Sequence, residues 1–372
     1  MIYLDYNATT PIDKEVAKEM NEFINNNFAN PSSSYTMGLA AKKAVEKSRK
    51  QVAKLINSSI SEITFTSCGS ESNNMVIKGV AHTLKEKGKH IITSKTEHPS
   101  ILAPCKYLEN LGYKISYLSV DEYGIINLSE LEEIINSETI LVTIMHANNE
   151  TGTIQPIKKI SEICKKHDVL FHTDAAQSMG KIDTNVTKLG VDFLTIAGHK
   201  LYAPKGIGAL FIKDGIQIEP LIHGASQENA KRAGTENTIF NVALGKACEI
   251  ALNKLNDQSI KELTDYFLLK LKDTFGDRIK LNGHPEKRLP NTLNISFLGY
   301  QGADILSKLG ENIAASTGSA CHSGSITMSP VLKAMMIPPK TGLGAIRFSL
   351  GRYTTKEEID YVIEKLKNII TM

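Results

Sequence analysis

Short apolar runs alternate with longer amphipathic stretches through the middle of the chain. The short runs have the length and composition of strands, and the stretches between them carry the apolar spacing of helices. The predicted strands span residues 63–66, 90–93, 114–120, 140–144 and 169–173, and the predicted helices span 73–87, 101–111, 128–135 and 157–167. This alternation predicts an α/β fold with a largely parallel sheet covered by helices. Ligands of such sheets bind beyond the carboxyl ends of the strands.

The pattern changes near residue 253. The elements predicted beyond it are a polar helix at 261–275, a hairpin-like segment at 281–297, a glycine- and serine-rich loop, a strand at 345–350 and a closing helix at 357–370. This mixture is typical of an α+β unit, and a chain of 372 residues suits a large domain with a smaller one. We assign residues 13–254 to the large domain, and residues 1–12 and 255–372 to the small domain.

Composition argues against several classes of protein. The formal net charge is only +3, without a dense block of Lys and Arg, so no nucleic-acid partner is expected. No apolar run approaches the roughly 20 residues that span a bilayer, and the N-terminus lacks a signal-peptide pattern. We therefore expect a cytoplasmic protein without a membrane partner. The five cysteines are widely spaced and form no CxxC pair, which argues against a disulfide framework or a structural zinc site.

Two predicted strand ends carry the groups that a pyridoxal 5′-phosphate (PLP) site requires. Asp174 directly follows the strand at 169–173, and a later apolar run breaks at Gly198 and delivers His199 and Lys200. A lysine amine binds the cofactor covalently, and a carboxylate keeps the pyridinium nitrogen protonated so that the ring accepts electrons. Asp174 and Lys200 together predict a PLP enzyme.

Three other turns lie where the same ligand would need polar groups. Gly69 and Ser70 stand in a small-residue turn before a helix, where backbone N–H groups can bind a phosphate. His98 can stack on the cofactor ring and relay protons, and Asn149 or Gln177 can donate to the ring hydroxyl oxygen. Each turn also has an ordinary interpretation as a helix cap or an Asn-rich turn. The pairing of Asp174 with Lys200 favours the site.

Ten motifs together resemble the cysteine desulfurases of the NifS-like group, within the class V aminotransferases. They run from one end of the chain to the other: 3–11 (YLDYNATTP), 65–67 (FTS), 71–73 (ESN), 96–98 (TEH), 148–152 (NNETG), 174–177 (DAAQ), 198–200 (GHK), 234–237 (GTEN), 318–321 (GSAC) and 346–352 (IRFSLGR). The resemblance implies the PLP-dependent transferase fold of type I, with a mainly parallel seven-stranded sheet in the large domain.

The resemblance also implies a role for each matched residue. Lys200 is similar to the lysine that links to the cofactor, Asp174 to the pyridinium partner, and His98 to the stacking acid–base residue. Asn149 and Gln177 match residues that hold the substrate or the ring oxygen.

The phosphate positions form a second matched group. Ser70, His199 and the backbone of Gly69 match phosphate ligands of the family. Thr235 matches a phosphate contact that comes from the other subunit, which implies a homodimer. Ala197 departs from the family pattern, because Ser or Thr usually stands there.

The substrate side of the predicted site consists of Asn7, Asn149 and Arg347. Asn7 and Arg347 match residues that bind the substrate carboxylate, for which an Arg–carboxylate pair is a strong anchor. Cys321 lies in a loop of small residues within the predicted small domain, and the thiolate form of such a side chain is a nucleophile. The resemblance implies that Lys200, His98 and Cys321 are catalytic.

The implied function is PLP-dependent removal of sulfur from L-cysteine, which gives L-alanine and a persulfide on Cys321. The sulfur would pass to an acceptor protein, such as an iron–sulfur scaffold or a tRNA thiolation enzyme. No metal-ligand motif is present, although Cys321 can contact an acceptor's iron–sulfur cluster. His322 keeps a selenocysteine lyase acting on L-selenocysteine as an alternative. A plain aminotransferase and a non-catalytic partner protein are further alternatives.

Overall fold

The computed structural model describes residues 1–317 and 327–370. The strands are β1 (Ile2–Tyr3), β2 (Ile63–Thr66), β3 (His90–Ser94), β4 (Lys114–Leu118), β5 (Thr139–Thr143), β6 (Leu170–Asp174), β7 (Phe193–Ala197), β8 (Gly208–Ile212), β9 (Ile279–Asn282), β10 (Thr292–Phe297), β11 (Ile313–Ala314) and β12 (Ala345–Ser349). The α-helices are α1 (Lys14–Asn26), α2 (Thr36–Ile56), α3 (Gly69–Thr83), α4 (Pro99–Glu109), α5 (Leu128–Ile134), α6 (Ile157–Lys166), α7 (Val186–Leu189), α8 (Thr238–Asn253), α9 (Ser259–Phe275), α10 (Gly302–Leu309), α11 (Pro330–Ala334), α12 (Pro339–Gly342) and α13 (Lys356–Ile369).

The main sheet has seven strands in the order β2-β8-β7-β6-β5-β3-β4. All neighbouring pairs are parallel except the two that β8 makes with β2 and β7. Every residue of β3, β5 and β7 is buried, as expected for parallel strands covered on both faces. The predicted α/β fold with a mainly parallel seven-stranded sheet is confirmed.

The predicted elements match this sheet closely, with one informative shift. The helix predicted at 73–87 begins at Gly69, directly after β2 and a short turn, and ends at Thr83. Its first turn contains Ser70 and Glu71, whose polar side chains hide the helical spacing from an apolar pattern. Helices α1, α2 and α8 lie outside the predicted alternation, and α1 and α2 each pack against α8.

A second sheet has the antiparallel order β12-β10-β9 and packs against α9, α10 and α13. Its core contains Phe267, Phe297 and Phe348, together with Leu4 from the N-terminal segment. The short parallel pair of β1 and β11 brings that segment to this core. Consequently residues just beyond Leu4 run between the two sheets.

We expect Phe267→Ala to destabilise the protein by about 3–5 kcal/mol, the usual cost of emptying a buried aromatic site. Phe267 is fully buried on α9 and packs edge-on against Phe348, with ring centroids 5.2 Å apart. The free energy of unfolding is measured by urea denaturation, monitored by circular dichroism. Leu269→Ala, on the same helix but 56% exposed, is the matched control and should change stability by less than about 0.5 kcal/mol. Equal losses in the two variants would contradict this packing.

Within residues 1–317 and 327–370, none of the helices has the length and apolar character required to cross a membrane.

Candidate active site

A cavity of about 400 Å³ opens where the main sheet meets the N-terminal segment and β12. It lies beyond the carboxyl ends of β3, β5, β6 and β7, where parallel sheets bind ligands. Ten of the predicted site residues line it: Asn7, Gly69, Ser70, His98, Asn149, Asp174, Gln177, His199, Lys200 and Arg347. The fold therefore brings residues that are more than 300 positions apart in sequence into one pocket.

Lys200 lies one helical turn beyond the end of β7 and faces the N-terminal segment. Its Nζ donates hydrogen bonds to the backbone oxygens of Asn7 and Ala8. Burial and, to a smaller extent, the nearby Arg347 cation lower the pKa of Lys200 to about 8, against the opposing effect of Asp5 and Asp174. A lysine with this pKa is partly neutral at physiological pH, which is the form that reacts with an aldehyde.

The rate at which Lys200 reacts with PLP should rise with pH and level off above a midpoint near 8, because only the neutral amine attacks. Stopped-flow absorbance of apoprotein mixed with PLP measures this rate. Arg347→Gln removes a cation that lowers the pKa of Lys200, so its midpoint should move to higher pH. A wild-type rate that is still increasing near pH 10, the range of an ordinary lysine, would contradict the assignment.

Asp174, at the end of β6, also lines the cavity. Its Oδ2 accepts from Asn73 Nδ2 at 2.8 Å, and its Oδ1 accepts from the backbone N–H of Ala176 at 2.9 Å. Asn73 also donates to Ser100 Oγ at 2.8 Å, and both residues line the cavity. Asn73 and Ser100 had no assigned role in the sequence, although each stands in the first turns of a helix that begins at a motif.

His98 is the N-cap of α4, and its ring accepts from the backbone N–H of Ser100 at the Nδ1 atom. This contact leaves Nε2 as the protonated nitrogen of the neutral ring. Burial lowers the pKa of His98, opposed by the Asp174 carboxylate and reinforced by Lys200. The ring is thus held by its own helix and stays available to exchange a proton at Nε2.

Another part of the cavity lining is suited to an anion. Helix α3 begins at Gly69 without a side-chain cap from Cys68, so its first N–H groups are available. Ser70 and His199 also line the cavity. Burial and the neighbouring Lys200 lower the pKa of His199 to about 4, so it remains a neutral donor. Ala197 adds no hydroxyl, and these groups would carry the anion between them.

Asn7 and Arg347 lie together on the side of the cavity next to the second sheet. Arg347 donates to the backbone oxygen of Asn149 at 3.0 Å and to the Asp5 carboxylate at 2.7 Å. Its Nε is buried and has no partner among residues 1–317 and 327–370. Asn7 is buried and donates to the backbone oxygen of Asn149 at 3.2 Å and to Thr292 at 2.8 Å. These contacts place the Arg347 guanidinium, with its Nε unpartnered within the described residues, and the Asn7 amide in the cavity lined by Lys200.

One predicted residue, Thr235, lies outside this cavity, and another, Cys321, is not among the described residues. Thr235 is exposed and lines a separate cavity of about 160 Å³ with Phe65, Thr66 and Arg232, so a single chain does not bring it to Lys200. Cys321 lies outside the described residues. The described segments before and after it form hydrogen bonds with Arg347 and with Glu150, which follows Asn149. Ser316 pairs with the backbone of Arg347, and Ser329 donates to the buried Glu150 carboxylate at 2.5 Å.

The donor set fits PLP. The cavity lining offers an acid for the ring nitrogen, an uncapped helix N-terminus for the phosphate and the amine of Lys200. Asn73 Oδ1 is buried there without a partner in the described part of the chain. In the same residues, no group of three His, Cys, Asp or Glu side chains is arranged to hold a metal ion.

The fold and this site define a class of protein, and comparison with known families agrees. The family model for class-V aminotransferases matches residues 2–362. The chain therefore belongs to the class V aminotransferase family.

Individual relatives are cysteine desulfurases. The chain is 50% identical to the cysteine desulfurase IscS of Dictyoglomus turgidum, over 99% of this chain and 94% of that protein. It is 46% identical to the IscS of Clostridium botulinum over the same shares. Among solved structures, a NifS-like protein superposes with a TM-score of 0.93 at 39% identity, covering 99% of both chains. The structure of SspA in complex with cysteine has a TM-score of 0.85 at 36% identity, covering 95% of this chain and 100% of that one. The NifS-like resemblance is confirmed.

Proposed function

We propose that this protein is a PLP-dependent cysteine desulfurase that converts L-cysteine to L-alanine and carries the sulfur as a persulfide on Cys321. The observation that carries the proposal is the single cavity in which Lys200, Asp174 and Arg347 meet. A lysine and an acid suit the cofactor, and an arginine suits the carboxylate of an amino acid. Relatives named cysteine desulfurases, 46–50% identical over almost the whole chain, support the choice of reaction.

The residues that would hold PLP divide along the cavity. Asp174 would contact the ring nitrogen, with His98 stacked on the ring and Gln177 and Asn149 at the ring oxygen. Gly69, Ser70 and His199 would bind the phosphate. When bound, PLP supplies an electron sink that makes the Cα proton of an amino acid acidic enough to remove.

The chain's own groups would perform the remaining work. Arg347 and Asn7 would bind the substrate carboxylate, which fixes the Cα–H bond relative to Lys200. Lys200 Nζ, partly neutral because burial lowers its pKa, would in its neutral form remove the Cα proton. The Cys321 thiolate would then attack the substrate sulfur. A new S–S bond forms between Cys321 and the substrate sulfur as the Cβ–S bond breaks. The electron pair of the Cβ–S bond stays on the carbon skeleton, which takes up a proton and leaves as alanine. His98 Nε2 would exchange protons with the substrate thiol.

The proposal includes a homodimer and the two-domain division. Thr235 does not line the cavity that contains Lys200 of the same chain. We infer that it would instead complete the phosphate site of a second copy. We assign residues 13–254 to the cofactor-binding domain, and residues 1–12 and 255–372 to the domain that carries Cys321. A cytoplasmic location and transfer of sulfur to an iron–sulfur scaffold or a tRNA thiolation enzyme belong to the same proposal.

The test is to supply the purified holoprotein with L-cysteine or L-selenocysteine and to measure alanine, sulfide and selenide. The proposal expects alanine from L-cysteine, with sulfide released when a thiol reductant is added. Alanine from L-selenocysteine alone would overturn it in favour of a selenocysteine lyase. Amino-group transfer to a 2-oxoacid without sulfur release would instead indicate an aminotransferase.

A further inference from the structure

Lys181 lies behind the cavity, next to residues assigned to the cofactor and the substrate, but it has no role in the proposed reaction. Its Nζ donates to Gln177 Oε1 and to Asn7 Oδ1, both at 3.2 Å. Gln177 Nε2 in turn donates to the backbone oxygen of Asn7 at 2.9 Å, and Lys200 donates to the same oxygen. A continuous chain of hydrogen bonds therefore runs from Lys181 to Lys200.

The chemistry of a lysine side chain gives this contact a direction. An ammonium group donates and never accepts, whereas a side-chain amide has an oxygen at one end and an NH₂ group at the other. Facing Lys181, both Gln177 and Asn7 must present their oxygens, and their NH₂ groups must point away. The Asn7 NH₂ group then donates to Asn149 and Thr292 on the substrate side of the cavity.

The reversed amide orientations would be poor in this environment. A flipped Gln177 would place its NH₂ group against the Lys181 ammonium and its oxygen against the Asn7 carbonyl oxygen. Each contact would leave buried groups unpaired, which disfavours that orientation by about tenfold or more. Asn7 Oδ1 also accepts a hydrogen bond from Asn291, at 3.1 Å, so two donors fix the orientation of the Asn7 amide. Within the described residues, the donor to Gln177 Oε1 is Lys181.

We propose that Lys181 is a positioning residue that fixes the orientation of the Gln177 and Asn7 amides, and through them the groups that face the cofactor and the substrate. The inference rests on the proposed function, which places Gln177 at the cofactor ring and Asn7 at the substrate carboxylate. Burial, Lys200 and Arg347 lower the pKa of Lys181 to about 7. A neutral amine still offers two N–H groups for the same two acceptors, but its lone pair can also accept, so the amide orientation is enforced most strongly when Lys181 is protonated.

The test compares Lys181→Met with Lys254→Met and Lys181→Arg, each as full-length protein. Lys254 lines a small cavity together with Lys181 and Lys200, but it makes no side-chain hydrogen bond to Asn7 or Gln177. It is therefore the matched control for loss of a lysine. The measurements are the Kd of the apoprotein for PLP, the absorbance spectrum of the bound cofactor, and kcat and KM for L-cysteine.

We expect Lys181→Met to raise the Kd for PLP and the KM for L-cysteine by about tenfold, with a smaller fall in kcat and a shifted cofactor absorbance band. Lys181→Arg should recover part of each effect, and Lys254→Met should match the wild type. Wild-type values of Kd and KM in Lys181→Met would overturn the proposal. Equal losses in Lys181→Met and Lys181→Arg, with a lowered melting temperature in both, would show a structural role and also overturn it.

The two proposals fail in different ways. If the wild type forms no alanine from L-cysteine, the proposed function fails. The Kd for PLP and the cofactor spectrum still decide the role of Lys181 in that case, because neither measurement requires turnover. A shifted spectrum and weakened binding in Lys181→Met alone support the positioning role, and unchanged values refute it.

Discussion

Lys200→Ala should reduce alanine formation from L-cysteine by about a thousandfold or more, because in the proposed reaction this one side chain both binds the cofactor covalently and moves the Cα proton. The structure supports both tasks. Lys200 lines the cavity with Asp174 and Arg347, and burial lowers its pKa to about 8. Alanine formation at saturating PLP is the measurement of activity. Borohydride reduction followed by peptide mass spectrometry measures covalent attachment to residue 200.

The control for this variant is Lys205→Ala, an exposed lysine a few residues further along the same segment. It should keep both activity and attachment. Lys200→Ala should still bind PLP noncovalently, since Asp174 and the N-terminus of α3 remain. If Lys200→Ala keeps wild-type turnover, or if borohydride fixes PLP to another lysine in the wild type, the assignment of Lys200 is wrong.

Cys321→Ala should lower alanine formation from L-cysteine by about a hundredfold or more while leaving the cofactor spectrum unchanged. In the proposed reaction Lys200 and Asp174 act on the cofactor and the substrate carbon atoms, whereas breaking the C–S bond requires a nucleophile for the sulfur. The measurement is the alanine rate at fixed holoprotein concentration, with the absorbance of bound PLP recorded on the same samples.

The matched control is Cys164→Ala. Cys164 is buried in the core that packs against the main sheet. Burial raises the pKa of its thiol to about 12, so this cysteine cannot serve as a nucleophile. This variant should keep wild-type turnover. A full rate of alanine release in Cys321→Ala would point to an enzyme that does not use a cysteine as sulfur carrier.

Much of the site could be predicted because its residues follow predictable strands. Asp174 and Lys200 come at the ends of apolar runs, and parallel strands end at one edge of a sheet. The run of ten motifs then gave roles to Asn7 and Arg347, which no local pattern could have brought to the same cavity. Their position depends on β1, β11 and β12, which join the first residues of the chain to the last third.

Other features depend on tertiary contacts that a single sequence does not display. Lys181 follows a glycine in a turn and looks like any surface lysine, and only its contacts with Gln177 and Asn7 distinguish it. Asn73 similarly gains its significance from the carboxylate of Asp174, a hundred residues away. The start of α3 at Gly69 could not be predicted from apolar spacing, because the first turn of the helix faces the cavity and carries polar side chains.

The most direct test of the central claim is peptide mass spectrometry of the holoprotein after a single turnover with L-cysteine and no reductant. The account predicts one extra sulfur atom on Cys321, in an amount equal to the alanine formed, and its loss when a thiol reductant is added. Alanine formed in the same amount without added sulfur on Cys321 would contradict the account.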